Sequence, residues 1–299
     1  MSVSTLRGVI PPAVTVFNED ESINIELFRE HLRYLLSNNI GGISIGGSTG
    51  EGHALSSQEL KQLVEIGVEE TQGKVPVIAG IIRDSARDAI EYAKVAKGAG
   101  ADYLMITPVH YFLPDDDAHY EFYKAISDAV ELPIIIYNVV PTAVITPECM
   151  KKLAEIKNII GIKQSGGDIH ALNKMMLELP EEQIVWSAVD ALLYPTYALG
   201  AEGSIAAILT VLPELCVEQW EACEQGDFEK AKEIHYKMLP TWLAMDRNNM
   251  PSRTKEVLRQ RGFNVGKPRS PFHPITDENV DAISKALDHA GIAKAPVSN

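Results

Sequence analysis

The stretch Asn158-Ile159-Ile160-Gly161-Ile162-Lys163-Gln164-Ser165 decides the fold. Its apolar, β-branched run does not alternate, so it reads as a strand buried on both faces, as in a parallel sheet. The run ends on a lysine and opens at once into Ser165-Gly166-Gly167-Asp168. A lysine at the end of a buried strand loses hydration unless it has a partner or a task. Desolvation disfavours the ammonium form, and a neutral amine is what attacks a carbonyl. The alternative is a lysine that snorkels to the rim or pairs with an acid.

Outward from this strand the same unit repeats. Upstream, Gly8 to Phe17 reads as a first strand broken by prolines, followed by an amphipathic helix from Ile25 to Leu36. Strands at 41–46, 75–80, 102–107 and 133–138 alternate with helices at 57–70, at 84–95 with Asp84 as cap, at 117–130 and at 147–156. Downstream, the helix 169–179 precedes a strand at 184–187, a helix at 191–199, a short strand at 203–207 and a helix at 213–225. Eight strand–helix units in series predict a closed (β/α)8 TIM barrel over residues 1–225. An open doubly wound sheet fits less well, because no glycine fingerprint follows the first strand. Residues 226–299 carry no strand signal. Helices at 228–242, 251–261 and 277–290 predict a C-terminal three-helix extension packed on the barrel, with fraying from about Lys294.

Bulk properties narrow the function. The chain has 299 residues and a formal net charge of -14, which argues against nucleic acid and anionic membrane surfaces as partners. Three cysteines, Cys149, Cys216 and Cys223, form no CxxC pair and suit a reducing cytoplasm. No apolar stretch reaches membrane-spanning length, and Arg7 and two prolines interrupt any signal-peptide core.

In a barrel of this kind, catalytic groups sit at the C-terminal ends of strands. Lys74 precedes its strand and is at the wrong end; Lys163 ends the sixth strand and points to the mouth. The second strand ends in Gly46-Gly47-Ser48-Thr49-Gly50-Glu51. Glycines there let successive amides converge on an anion, two hydroxyls add donors, and a carboxylate suits the nest. The loop lacks the lysine and spacing of a nucleotide P-loop. Glu51 reads as a buttress of the loop. Tyr137 ends the fifth strand, where a phenol can carry a proton between substrate and solvent, and Asn138 reads as fixing the turn. His110 and Tyr111 follow the fourth strand. They join Thr142 and Asp190 as specificity candidates, with His53 and His170 on neighbouring loops. Ile205, in the eighth strand, joins Gly47, Ser48 and Thr49 as a substrate-binding candidate. No histidine–carboxylate cluster has metal-ligand spacing, and no serine-triad motif appears. A mouth amine, an anion nest and a phenol suit imine chemistry on a 2-oxo acid, with no metal required.

With these residues in place, the sequence resembles the dihydrodipicolinate synthase/N-acetylneuraminate lyase family of Schiff-base aldolases over nearly the whole chain. The resemblance rests on Gly47-Ser48-Thr49-Gly50-Glu51, Tyr137-Asn138-Val139, Gly161-Ile162-Lys163-Gln164 and Gly266-Lys267-Pro268-Arg269-Ser270-Pro271. It implies a barrel with a helical tail, a homotetramer built from dimers, and a covalent imine at Lys163 in place of a cofactor. It further implies Tyr137 as proton donor and acceptor, Ser48 and Thr49 as binders of the pyruvate carboxylate, and Thr49 as a hydroxyl relay to the tyrosine. Dihydrodipicolinate synthases resemble Tyr-Asn-Val-Pro-x-Arg-Thr after the fifth strand. Here Tyr137-Asn138-Val139-Val140-Pro141-Thr142-Ala143 lacks the arginine, and Val109-His110 stand where that branch has paired tyrosines. Neuraminate lyases carry an Asp-Glu pair after the seventh strand, of which only Asp190 remains, and a serine that aligns near Ala207. The expected function is a lyase acting by aldol cleavage, condensation or dehydration on a 2-oxo (3-deoxy) acid. Dihydrodipicolinate synthase is the alternative within the family, and a non-catalytic keto-acid-binding regulatory protein is the alternative outside it.

Overall fold

A computed structural model describes residues 6–166, 168–246 and 248–294; Gly167 of the loop after the sixth strand and the expected frayed end at 295–299 lie outside them. Eight parallel strands lie in the order β1-β8-β7-β6-β5-β4-β3-β2. They are β1 (Gly8–Val9), β2 (Ile43–Ile45), β3 (Val77–Ile81), β4 (Tyr103–Ile106), β5 (Ile134–Asn138), β6 (Ile159–Gln164), β7 (Ile184–Ser187) and β8 (Gly203–Ser204). The sheet closes where Ala13 N donates to Ser44 O at 2.8 Å and Ser44 N donates to Pro11 O at 3.1 Å. The expected first strand is short because Pro11 and Pro12 have no N–H to give, so only their carbonyls and the Ala13 amide can pair. The fold is a TIM barrel, as the strand count predicts.

The helices on the outside begin where the sequence supplies caps. Ser56 and Glu59 form a reciprocal capping box on α2 (Ser57–Thr71), and Thr146 with Pro147 starts α5 (Pro147–Leu153). One cap differs from expectation. Ser85, not Asp84, caps α3 (Ala86–Gly98), its Oγ accepting from Asp88 N at 3.1 Å. Asp84 instead crosses to the loop after β4, accepting from His110 N at 2.7 Å and Tyr111 N at 3.3 Å. Its carboxylate thereby satisfies two loop amides, where a cap would satisfy one.

Two hydrophobic cores follow from strand alternation. One lies between strands and helices and takes Ile134, Ile136, Ile159, Ile162 and Val185. The other fills the barrel and takes Ile135, Tyr137, Ile160, Ile184 and Trp186. On β6 the strict alternation breaks. Ile134 pairs with Ile159, but the next residue of β5, Ile135, pairs with Gly161, leaving Ile160 as one extra residue. Unbroken alternation from outward Ile159 would send position 163 outward. The bulge shifts the parity, so Ile162 faces the helices and Lys163, paired with inward Tyr137 and Trp186, faces the barrel. Gly161 makes the bulge possible, since a Cβ there would lie 2.0 Å from Ile184 O.

After the eighth barrel helix, α9 (Pro213–Glu224), the tail forms α10 (Phe228–Met245), α11 (Met250–Gln260) and α12 (Asp277–His289). The helix α10 packs on α9 and on α7 (Leu193–Ala198), and α12 packs on α10. Arg261 clamps the tail to the barrel, donating to Glu214 at 2.6 Å. Among the described residues no helix is long and apolar enough to cross a membrane.

The crowding at Gly161 sets a prediction. Gly161→Ala should destabilise the protein by about 3 kcal/mol, since a backbone atom, not a flexible side chain, must give way. Urea denaturation measures it; a loss within about 0.5 kcal/mol would mean that the bulge tolerates a side chain.

Candidate active site

Among the described residues two lysines are buried, Lys163 and Lys255, and they differ in company. Lys255 on α11 is 1 % exposed and meets Glu51, equally buried, at 2.7 Å. Lys163 is 4 % exposed, and among the described residues no carboxylate lies within ion-pair distance of it. Its Nζ sits 3.5 Å from the centroid of the Tyr137 ring, a cation–π contact. A buried amine with no carboxylate at ion-pair distance is costly as structure. It is useful as a nucleophile.

Tyr137 is buried at the end of β5, and its hydroxyl donates to Ser48 Oγ at 3.1 Å. The second βα loop therefore meets the fifth strand across the barrel mouth. The sequence reading assigns the hydroxyl relay to Thr49; the structure brings Ser48 to the tyrosine instead. The reason is the turn, in which Glu51 N donates to Ser48 O at 3.1 Å and Gly52 N to Gly47 O at 3.0 Å. Thr49 is buried within that turn and Gly47 lies at its base, where a Cβ would touch Met105 Cε at 3.1 Å. Ile205 is fully buried in the barrel core, its N–H held by Ser187 O at 2.9 Å.

Asn138 fixes the loop after β5 as expected. Its amide exchanges two hydrogen bonds of 2.9 Å with the Ile145 backbone and donates to Gln164 Oε1 at 2.8 Å. Thr142 is exposed on that loop. His110 Nδ1 lies 2.8 Å from Asp84, and Tyr111 is 79 % exposed with its ring against Phe112. Within one chain the structure does not bring these two residues to Lys163 or Tyr137. His53 and His170 are exposed, the former edge-on to Phe272. Asp190 accepts from Ile208 N at 2.6 Å and so ties the start of α7 to the loop after β8.

Sequence reasoning missed two sets of groups. Thr107 and Ser165, at the ends of β4 and β6, bury hydroxyls that find no protein partner among the described residues. Buried polar atoms left unpaired by the protein are available to a ligand. Lys255 was also missed, since a lysine in a helix gives no local sign of burial. Among the described residues no group of histidines, cysteines and acids is placed to hold a metal.

Comparison with known proteins follows from this geometry. A family model described as the dihydrodipicolinate synthetase family matches residues 5–290. The 4-hydroxy-tetrahydrodipicolinate synthase of Methanopyrus kandleri is 35% identical over 291 residues, covering 96% of this chain and 97% of that one. The enzyme of the same name from Archaeoglobus fulgidus is 36% identical over 285 residues, covering 94% and 97%. The pyruvate complex of a chloride-inhibited dihydrodipicolinate synthase from Acinetobacter baumannii superposes with a TM-score of 0.92 at 29% identity, covering 97% and 100%. A structure described as the first monomeric dihydrodipicolinate synthase variant superposes at 0.93 with 28% identity, covering 97% and 99%.

Asp190 carries a pH signature. Burial raises its pKa from the ordinary 3.8 to about 7, against the lowering by the Ile208 amide and by the charge of Lys163. The folded state thus holds a proton that the unfolded chain releases, so stability falls as pH rises from about 4 to about 7. Asp190→Asn should abolish that slope and be more stable than the parent near pH 8, compared by urea denaturation at about pH 5 and about pH 8. A parent–variant difference that is equal at the two pH values would show that the carboxyl ionises normally.

Proposed function

The chain belongs to the dihydrodipicolinate synthetase family of pyruvate-dependent class I aldolases and lyases, and from that premise we propose that Lys163 is its imine-forming amine. The single observation that carries this is the buried, unpaired Lys163 stacked on Tyr137, whose hydroxyl reaches Ser48. The amine of Lys163 attacks the keto carbon of pyruvate or a related 2-oxo acid. Tyr137 gives a proton to the resulting carbinol oxygen, which leaves as water, and a protonated imine remains. That cation draws electrons from the adjacent carbon, so a proton or an aldehyde departs as an enamine forms; in dehydration a proton leaves first, and the enamine then expels a protonated hydroxyl from the next carbon as water, leaving an unsaturated imine. Tyr137 moves the matching proton at the substrate hydroxyl, and Ser48 passes it onward. The amides and hydroxyls of Ser48 and Thr49, on the turn based at Gly47, hold the substrate carboxylate. Ile205 closes the apolar side of the keto-acid pocket. The imine is the only prosthetic chemistry this reading requires.

The preferred substrates are 2-oxo-3-deoxy acids cleaved to pyruvate or dehydrated. The neutral Val139-Val140-Pro141-Thr142-Ala143 segment supports this, with Thr142, Asp190, His110 and Tyr111 as specificity positions. A second reading, condensation of pyruvate with aspartate semialdehyde, is favoured by the relatives named 4-hydroxy-tetrahydrodipicolinate synthase. The working unit in this reading is a barrel over residues 1–225 with the extension 226–299 packed on it, assembled as a homotetramer or homodimer. The exposed apolar tip Tyr111-Phe112-Leu113 supports assembly. Three unpaired, buried cysteines support a cytoplasmic setting.

Incubation with pyruvate, borohydride reduction and mass spectrometry should place an adduct on Lys163 and none in Lys163→Ala; an unmodified Lys163 in the parent would sink the assignment. Tyr137→Phe should bind pyruvate yet turn over roughly a hundredfold more slowly. A pyruvate-release and dehydration screen of 2-oxo acids, run beside condensation with aspartate semialdehyde, separates the two substrate readings. Turnover of the semialdehyde alone would reject the first.

A further inference from the structure

The C-terminal motif Gly266-Lys267-Pro268-Arg269 lies far from Lys163 in sequence, and no step above uses it. Its place in the fold is over Phe17, in the segment between β1 and the first helix. Gly266 pairs with Phe17, so closely that a Cβ would lie 2.1 Å from Phe17 O. From there the backbone reaches the loop after β2. Arg269 N donates to Glu51 Oε2 at 2.9 Å. Lys255 Nζ donates to the other oxygen, Glu51 Oε1, at 2.7 Å and to Lys267 O at 2.9 Å. Both carboxylate oxygens of Glu51 are thus held by the tail. The Phe17 ring lies beside both cations, with Lys255 Nζ at 4.8 Å and Arg269 at 4.3 Å from its centroid.

Glu51 occupies a demanding place in the chain. Its φ is +56°, in the left-handed region that non-glycine residues avoid. That conformation turns the chain back, so that Glu51 N closes on Ser48 O and Gly52 N on Gly47 O. The wider of these two bonds encloses Ser48 and Thr49, with Gly50 and Glu51 itself. Release of the Glu51 side chain would let the backbone relax out of the left-handed region, and the amides and hydroxyls of the turn would lose their common aim. A loop buttress drawn only from barrel residues would not need an ammonium from α11.

We propose that Glu51 and Lys255, fixed by the strap 266–269, are positioning residues for the anion nest: the helical tail sets the geometry with which Ser48 and Thr49 grip a substrate carboxylate. The inference rests on the reading of that turn as the carboxylate site. It assigns to the extension a part in substrate recognition beyond support of the barrel. Neither residue touches the substrate.

The test compares two ketones that differ in one charge. The parent, Lys255→Met and the double variant Glu51→Gln/Lys255→Met are incubated with increasing pyruvate or with methyl pyruvate, its uncharged ester. Each imine is reduced with borohydride and read by mass on Lys163. The double variant leaves no uncompensated buried charge, so it keeps the fold where the single variant loses it. Half-saturating pyruvate should rise about tenfold or more in the folded variants, while labelling by methyl pyruvate should shift by no more than about twofold. Equal shifts for the two ketones would mark the pair as merely structural and overturn the proposal. Unchanged pyruvate labelling, or failure of both variants to fold, would overturn it as well. A parent that forms no adduct removes the reading of Lys163 itself, and this inference with it. Labelling of the parent with unaltered variants removes this inference alone.

Discussion

Lys163 faces the barrel interior because one residue too many lies between outward Ile159 and outward Ile162. Strand periodicity is unforgiving: a one-residue change of register exchanges the two faces. Without the extra residue the amine would enter the apolar layer between sheet and helices, among Ile134, Ile136 and Val185. With it, the amine lies over the Tyr137 ring. The bulge in turn depends on a residue without a side chain, because β6 and β7 run in contact at Gly161 and Ile184 O. Packing against β7 and the aim of Lys163 are therefore one constraint.

The two buried lysines show how context separates structure from chemistry. Each has lost nearly all contact with water. Lys255 recovers the lost hydration through a carboxylate and a carbonyl, and its charge is balanced where it lies. Lys163 recovers only part of it, from the face of an aromatic ring. Solvation withheld from a group at the mouth of a barrel is solvation that a ligand can supply. The same holds for the hydroxyls of Thr107 and Ser165 at neighbouring strand ends.

The parts of this protein that were legible in the sequence are those governed by local periodicity. Apolar runs give eight strands, helical spacing gives the helices between them, and Thr146 with Pro147 announces a helix start. The lysine after Ile162 and the glycine–hydroxyl loop were visible as departures from those patterns. What was not legible depends on groups distant in the chain. Unbroken alternation does not reveal the parity change in β6, because a run of isoleucines looks alike with or without an extra residue. Asp84 looks like a cap until the loop after β4 offers it two amides. Ser48 and Thr49 are adjacent hydroxyls, and only the left-handed turn at Glu51 decides which one reaches Tyr137. Glu51 with Lys255 is the extreme case, since nothing near either residue indicates the other.

That separation has a consequence in time. Glu51 and its ammonium partner are 204 residues apart. On a ribosome, all eight strands emerge before Lys255 does. A barrel can then close while the Glu51 carboxylate still has no buried partner, and a carboxylate in that state keeps its water. The loop after β2 stays hydrated until the last quarter of the chain arrives and displaces that water. In the proposed reading of Lys163 and of that turn, the grip on a carboxylate is thus among the last features this polypeptide acquires during synthesis, after the amine it serves is already in place.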